Sequence, residues 1–165
     1  IGRSRHAGVE AGANVLLFSD IATRMGFGVG GDTLGWRTAY TWSRFVYVND
    51  PTFGNNDIPG FPENYIRSEL RYDHPIGLWL APNIEWVPNS YPVNSANTAR
   101  TEAYFLFNVG AGYTYKPWNL STFFLAQNLT NKSYISAVTV DDPNGRFFLP
   151  GDGRSFYGGI NWRWR

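Results

Sequence analysis

The side chains able to do chemistry are few and badly placed for it. The two histidines, His6 and His74, lie at segment ends with no metal-ligand spacing between them. There is no cysteine, which excludes thiol catalysis, zinc fingers and disulfides. Asp141-Asp142-Pro143-Asn144-Gly145 has the composition of a calcium loop without its spacing or terminal Glu, and reads as a turn. Gly151-Asp152-Gly153 precedes a strand pattern, whereas phosphate-binding glycine loops need a helix to follow. Asn128-Leu129-Thr130 and Asn131-Lys132-Ser133 match glycosylation acceptors and are taken as chance. A membrane-embedded lipase or protease would need a Ser/His or Asp/His group at one depth, and neither histidine shares a face with a candidate nucleophile. No catalytic residue, cofactor or metal is therefore expected. Fourteen basic and thirteen acidic side chains leave a net charge of +1, with no basic run, so nucleic acid is not an expected partner.

What the charged residues do share is a face. The chain divides into seven segments with period-two alternation. The first, Ala7 to Phe18, sets Val9, Ala11, Ala13, Val15 and Leu17 against Glu10, Gly12 and Asn14. The second, Gly35 to Val48, sets Trp36, Thr38, Tyr40 and Trp42 against Arg37, Ala39, Thr41 and Ser43. The third, Tyr65 to Asp73, sets Ile66, Leu70 and Tyr72 against Arg67, Glu69, Arg71 and Asp73. The fourth, Leu78 to Val87, sets Leu78, Leu80, Ile84 and Trp86 against Asn83 and Glu85. The fifth, beginning at Phe105, alternates Phe107, Val109, Ala111, Tyr113 and Tyr115 with Leu106, Asn108, Gly110, Gly112 and Thr114. The sixth, Leu120 to Thr130, is less regular, with Phe123, Leu125 and Leu129 against Phe124, Ala126 and Asn128. The seventh sets Phe156, Gly158, Ile160, Trp162 and Trp164 against Tyr157, Gly159, Asn161 and Arg163.

Aromatic residues make up 18% of the chain, yet its mean hydropathy is negative. That combination suits strands with one face in lipid and the other in water. No run of about 18 apolar residues offers a transmembrane helix, whereas the segments have about the length a tilted strand needs to cross a bilayer. The fold class expected is all-β: antiparallel transmembrane β-barrel strands. Short connections at residues 73–77 and 116–119 alternate with long ones at 49–64, 88–103 and 134–153, as periplasmic turns alternate with extracellular loops. The 19–34 connection breaks that rule and is read as strand extensions or a local insertion. With the long loops outside, Trp162 and Trp164 fall at the inner interface, level with Tyr113, Tyr115 and Trp118. Seven is odd, and lipid forbids open sheet edges. Either a strand hides within 19–34, or earlier strands are missing and the chain, which shows no signal peptide, is a fragment.

Glu10, Arg37, Arg67, Glu69, Arg71, Asp73, Glu85, Asn108, Asn128 and Arg163 are expected to face the lumen. They would pair across strands, for example Arg67 and Arg71 with Glu85, or contact a plug or solute. Phe53, Phe61, Tyr91, Phe147 and Phe148 in the long loops are candidates for an extracellular binding surface.

Several motifs resemble one family. Gly8-Val9-Glu10 resembles a GxE strand of the late barrel of TonB-dependent receptors. Ile58-Pro59-Gly60-Phe61-Pro62 resembles one of their loop ends. Asn128-Leu129-Thr130-Asn131-Lys132-Ser133-Tyr134 is similar to their NLxDxxY motif, with Asn131 where the family usually has Asp. Pro150-Gly151-Asp152-Gly153-Arg154-Ser155-Phe156 with Gly158-Gly159-Ile160 resembles the PGRxxxxGL start of their final strand. The resemblance covers nearly the whole chain. It implies that residues 1–165 are about the last seven strands of a 22-stranded barrel, with the plug domain absent. The implied function is TonB-dependent uptake of a scarce solute across the bacterial outer membrane, most often a ferric siderophore. The implied partners are outer-membrane lipid, the solute, and TonB acting through the missing N-terminal region. The barrel-assembly machinery would read Phe156, Ile160, Trp162 and Trp164, although here Arg165 follows the aromatic that usually ends such barrels. The rival readings are a small complete eight-stranded barrel with a structural or adhesion role, and a soluble β-sandwich.

Overall fold

The computed structural model describes residues 2–28 and 30–164. Arg165 lies outside the described residues. Seven antiparallel strands run in chain order through one sheet. They are β1 (Arg3–Ser19), β2 (Thr33–Val48), β3 (Asn64–Asp73), β4 (Leu78–Val87), β5 (Tyr104–Tyr115), β6 (Leu120–Gln127) and, after an intervening hairpin, β9 (Ser155–Trp162). The hairpin pairs β7 (Ile135–Val138) with β8 (Phe148–Pro150) in a separate two-stranded sheet. None of the described helices is long and apolar enough to cross a membrane.

All seven expected strands form, because alternation fixes both the strand and its register. A one-residue slip would move every ring to the wrong face. The ladders keep like with like: Trp36 opposes Leu70, Ile66 opposes Trp86, which opposes Phe105, and Phe124 opposes Gly158. The apolar face is left exposed, with Ile160 at 76% and Phe156 at 58%. Packing against the chain itself therefore cannot be what selects those residues, and a sandwich core is not formed on them.

The faces of β6 are the reverse of those expected, with Phe124 and Ala126 outward beside Gly158 and Phe156, and Phe123 and Leu125 inward. Three further details depart from expectation. A bulge between Leu16 and Phe18 puts Phe18, not Leu17, opposite Leu34 on the apolar row. Arg71 does not reach Glu85; it pairs with Asp73 at 2.9 Å and lies 4.5 Å above the Trp79 ring. The third is the 19–34 connection, which holds no hidden strand. Both flanking strands extend into it, and between them sits one helical turn, α1 (Ile21–Arg24). Asp32 secures that turn by accepting the Ala22 N–H at 3.0 Å. Burial alone would raise the Asp32 carboxyl. The Ala22 N–H, the Tyr72 hydroxyl and nearby His74 offset this and hold it below its ordinary value, so it is ionised at neutral pH. With no eighth strand in the sheet, β1 and β9 remain its two edges, and the sheet is open. A self-contained eight-stranded barrel is not what these strands build.

The polar face needs room, and glycines provide it. The Trp79 ring lies over Gly110 and Gly112, and the Phe123 ring lies over Gly159, where any Cβ would meet ring carbons. Gly159→Val is therefore expected to destabilise the full-length protein by about 1–3 kcal/mol through overpacking. Phe123→Ala in the same chain should recover part of that loss. Urea unfolding of the two single variants and the double variant measures the coupling, and strict additivity would show that the ring and the glycine are independent.

Candidate functional site

Register assembles the candidate site row by row. One hydrogen-bonded row carries Asn14, Arg37, Glu69, Asn83 and Asn108 across five strands, all on the polar face. The next row carries Gly12, Ala39, Arg67, Glu85 and Leu106. Glu10 stands opposite Thr41 on the same face, and Arg163 follows the end of β9 on the inward parity. A cavity of about 450 Å³ on this face is lined by Arg37, Arg67, Glu69, Asn83 and Glu85. Arg67 and Glu85 form an ion pair at 2.9 Å. Glu10, Arg37 and Glu69 enter no ion pair among the described residues, so their charges are met by water or by something outside the chain.

Toward the long loops, the polar face becomes aromatic. A second cavity, of about 410 Å³, is lined by Phe61, Tyr65, Tyr91, Tyr104 and Val138, with Glu85 at its floor. Glu85 belongs to both cavities and couples them. One of its carboxylate oxygens accepts the Tyr104 hydroxyl at 3.0 Å, and the other accepts Arg67 at 2.9 Å. Burial pushes the Tyr91 phenol above its ordinary value. Burial, and then Glu85 and Asp152, do the same at Tyr134, which packs 4.9 Å from Tyr104. Both phenols are therefore neutral at physiological pH and present rings and hydroxyls rather than charge.

Of the five loop aromatics singled out from sequence, only Phe61 and Tyr91 share a cavity. Phe61 is exposed and meets Phe45 edge-on at 5.2 Å, while Tyr91 is buried. Phe53 packs on Tyr47 instead, and Phe147 and Phe148 pair at the β7–β8 hairpin. Tyr65, Tyr104 and Tyr134 were missed. The signal for the first two was available: both lie on the Glu85 parity at strand ends facing the loops.

The long loops are tied to one another. The Ser95 hydroxyl donates to Asp141 at 2.6 Å and accepts the Tyr47 hydroxyl at 2.9 Å, and the Ser95 carbonyl accepts the Asn56 side chain at 2.9 Å. Asn97 exchanges two hydrogen bonds with the Asp57 backbone. All three loops are thereby held over the aromatic cavity as one body.

Asn128 is not a lumen-lining side chain. It lies just past β6 in the left-handed region, with φ 48°, and is buried. Its carboxamide donates to the Lys132 and Asp152 carbonyls at 2.8 and 3.0 Å and accepts the Lys132 N–H at 2.8 Å. Asn131 accepts the Arg154 N–H at 2.9 Å, and the Tyr134 ring covers Gly151 so closely that no Cβ fits. Residues 128–134 and 150–156 are thus one structural unit. Asn131 does its work through an oxygen acceptor that Asp would also supply. At the opposite end, Tyr113 stacks on Tyr115, Tyr115 meets Trp118 edge-on, and Trp162 meets Trp164 at 5.1 Å. Phe156, Ile160 and Trp162 form the exposed apolar row of β9.

An open antiparallel sheet with one apolar face, one charged and glycine-relieved face, short turns at one end and a knitted loop crown at the other defines the wall of a large membrane β-barrel. Residues 1–129 match the family model described as TonB dependent receptor-like, beta-barrel, and the chain belongs to that family. Its fold is similar to that of the ferric yersiniabactin uptake receptor of Yersinia pestis, with a TM-score of 0.71 at 17% identity over 96% of this chain and 23% of that one. It is also similar to the ferric preacinetobactin receptor of Acinetobacter baumannii, with a TM-score of 0.62 at 17% identity over 96% of this chain and 26% of that one. The chain thus spans about a quarter of the length of these solved receptors.

Asn128→Ala should destabilise the full-length protein by roughly 2–4 kcal/mol, because it strands two carbonyls and an N–H that the carboxamide satisfies. Asn131→Asp should change stability by less than about 0.5 kcal/mol, since the acceptor is kept. Denaturant titration of both variants checks the pair, and the assignment fails if Asn131→Asp is the more damaging.

Proposed function

We propose that the chain is the C-terminal segment of the barrel of a bacterial outer-membrane receptor that imports a ferric siderophore, with energy delivered through TonB. The observation that carries this reading is the continuity of the aromatic cavity with the charged wall through Glu85. A ferric chelate has an apolar or aromatic organic shell and commonly a net negative charge. Phe61 and the rings of Tyr65 and Tyr104 offer surfaces for the shell, and Arg37, exposed on the adjoining wall and in no ion pair among the described residues, offers the countercharge. The knitted loops fix these groups in place before binding, which lowers the ordering cost of capture.

Transport then requires the solute to move from rings to charges. Unpaired Arg37, Glu69 and Glu10 on the lower wall suit contacts with a plug domain and with the passing solute. The chain's own residues bind, orient and line the path, and no bond is made or broken. Residues 1–165 form a segment of the barrel domain, and the plug and the TonB-gripping region belong to the rest of the protein. Support comes from the family and from two structural neighbours whose cargoes are ferric chelates.

The test is growth and radiolabelled-iron uptake in a strain lacking the gene, complemented with the full-length protein under iron starvation. Uptake of at least one phenolate, catecholate or hydroxamate ferric chelate should return, and only when TonB is present. Phe61→Ala should weaken binding of that chelate about tenfold, or 1.4 kcal/mol, without loss of folded protein. The reading is wrong if no ferric chelate is taken up, or if uptake proceeds equally without TonB.

A further inference from the structure

The β1–β2 connection is apolar where a turn in water would be polar. Met25 is 65% exposed and Phe27 is 73% exposed, and Ile76 in the adjacent β3–β4 turn is 57% exposed. Exposed apolar clusters of this kind mark contact with something outside the chain. The position of the loop says what that is.

The turn is attached on the apolar side of the sheet. Asp32 sits two residues before Leu34 and four before Trp36, so it continues their outward row, and Tyr72, outward on β3, stands beside it. By holding the Ala22 N–H at 3.0 Å, Asp32 brings α1 to that side rather than across the lumen. The Gly31 N–H also bonds to Asp20, and the Asp20 N–H to the Asp32 carbonyl at 2.9 Å, closing the base of the loop.

The level is also fixed by register. The loop leaves the sheet on the row Thr33, Asp73, Trp79, Gly112, Phe123 and Gly159. Just beyond that row, β5 and β9 carry Tyr113, Tyr115 and Trp162, the rings placed at the membrane boundary. Strands β1 to β3 carry no Tyr or Trp beyond it. The loop stands where their belt would be. Gly26 and Gly28 have φ of 79° and 119°, and a Cβ on either would touch nothing within 4 Å. Phe27 is therefore carried on a bend that faces open space, tied back to α1 by its N–H to the Ala22 carbonyl at 2.7 Å. Arg24 ends the helical turn, and its guanidinium can snorkel to phosphate while its neighbours enter the acyl boundary.

We propose that residues 21–28 form an interfacial foot that seats Met25 and Phe27 in the phospholipid leaflet at the short-turn end of the barrel. The foot rests on the membrane-spanning reading above, and it completes the aromatic belt on the side where the strands lack one. Its ligand is the headgroup–acyl boundary of a phospholipid surface. It anchors the barrel's depth locally and takes no part in solute capture.

The test uses the full-length protein in phosphatidylethanolamine–phosphatidylglycerol vesicles, with a nitroxide spin label placed singly by Phe27→Cys, Met25→Cys, Ile160→Cys or Asn144→Cys. Collision rates with oxygen, which favours lipid, and with a water-soluble nickel chelate give the depth of each label. Labels at 25 and 27 should show an oxygen-to-nickel ratio several-fold above that at 144 and approaching that at 160. If 160 reads as lipid while 25 and 27 both match 144, the foot is wrong and the barrel reading survives. If 160 also reads as water, both fail. A label at 27 that is shielded from oxygen and nickel alike would mean a protein partner covers the loop, which overturns the lipid assignment.

Discussion

A backbone N–H or C=O that faces hydrocarbon has no water to bond, and leaving it unpaired costs several kcal/mol. Every other feature of this chain follows from that constraint. Strands β2 to β6 each have a ladder on both sides. Once the ladder is obligatory, the side chains are left to alternate between two solvents, and the period of two becomes the whole of the patterning. It also makes β1 and β9 the reactive edges of the sheet, where further strands must pair if the wall is to close. The apolar rows on both edges, Val9 to Val15 and Phe156 to Trp162, already face outward in step with the interior strands.

The second solvent sets a harder problem, because a water-filled face in a twisted sheet must still fit its neighbours. Two devices appear. Glycines at Gly110, Gly112 and Gly159 open space that the rings of Trp79 and Phe123 fill. Charge is treated in two ways. Arg67 and Arg71 are satisfied locally, by Glu85 and by Asp73 with the Trp79 face. Arg37, Glu69 and Glu10 are not. A charge left unpaired on this face must be met by water or by a group outside the chain.

The strands were legible in the sequence because alternation is a local signal, and all seven form with ends shifted by a few residues. Residue faces followed except at the Leu16–Phe18 bulge, which residue type does not announce, and in β6, where rings on both faces (Phe123 and Phe124) hide which side is outward. The β7–β8 hairpin was not legible. Its strands are short, they pair only with each other, and they sit inside a loop rich in Asp, Gly and Pro. The candidate site was legible in part. Strand parity gave the charged wall directly. The aromatic cavity depends on how three loops fold over one another, which is set by contacts such as Ser95 with Asp141 and Asn97 with Asp57 across 46 and 40 residues of chain. No period carries such information, so Phe53, Phe147 and Phe148 looked equivalent to Phe61 and Tyr91 when they are not.

Asn128 shows why motif residues and ligand residues should be kept apart. The family match spans residues 1–129, and the side chains of the 128–134 motif turn out to be spent on one another and on the 150–156 segment. Asn128 is buried with both amide protons spent on backbone carbonyls, and Tyr134 is committed to Gly151 and Tyr104. What the motif secures is the base of the longest loop, from which Val138 reaches the wall of the aromatic cavity. The motif residues thus hold the crown, while the groups that stand open on the two cavities, Phe61 and Arg37 above all, lie outside the motif. In this architecture an exposed group on the cavity wall can change without disturbing the hydrogen bonds that keep the crown in place.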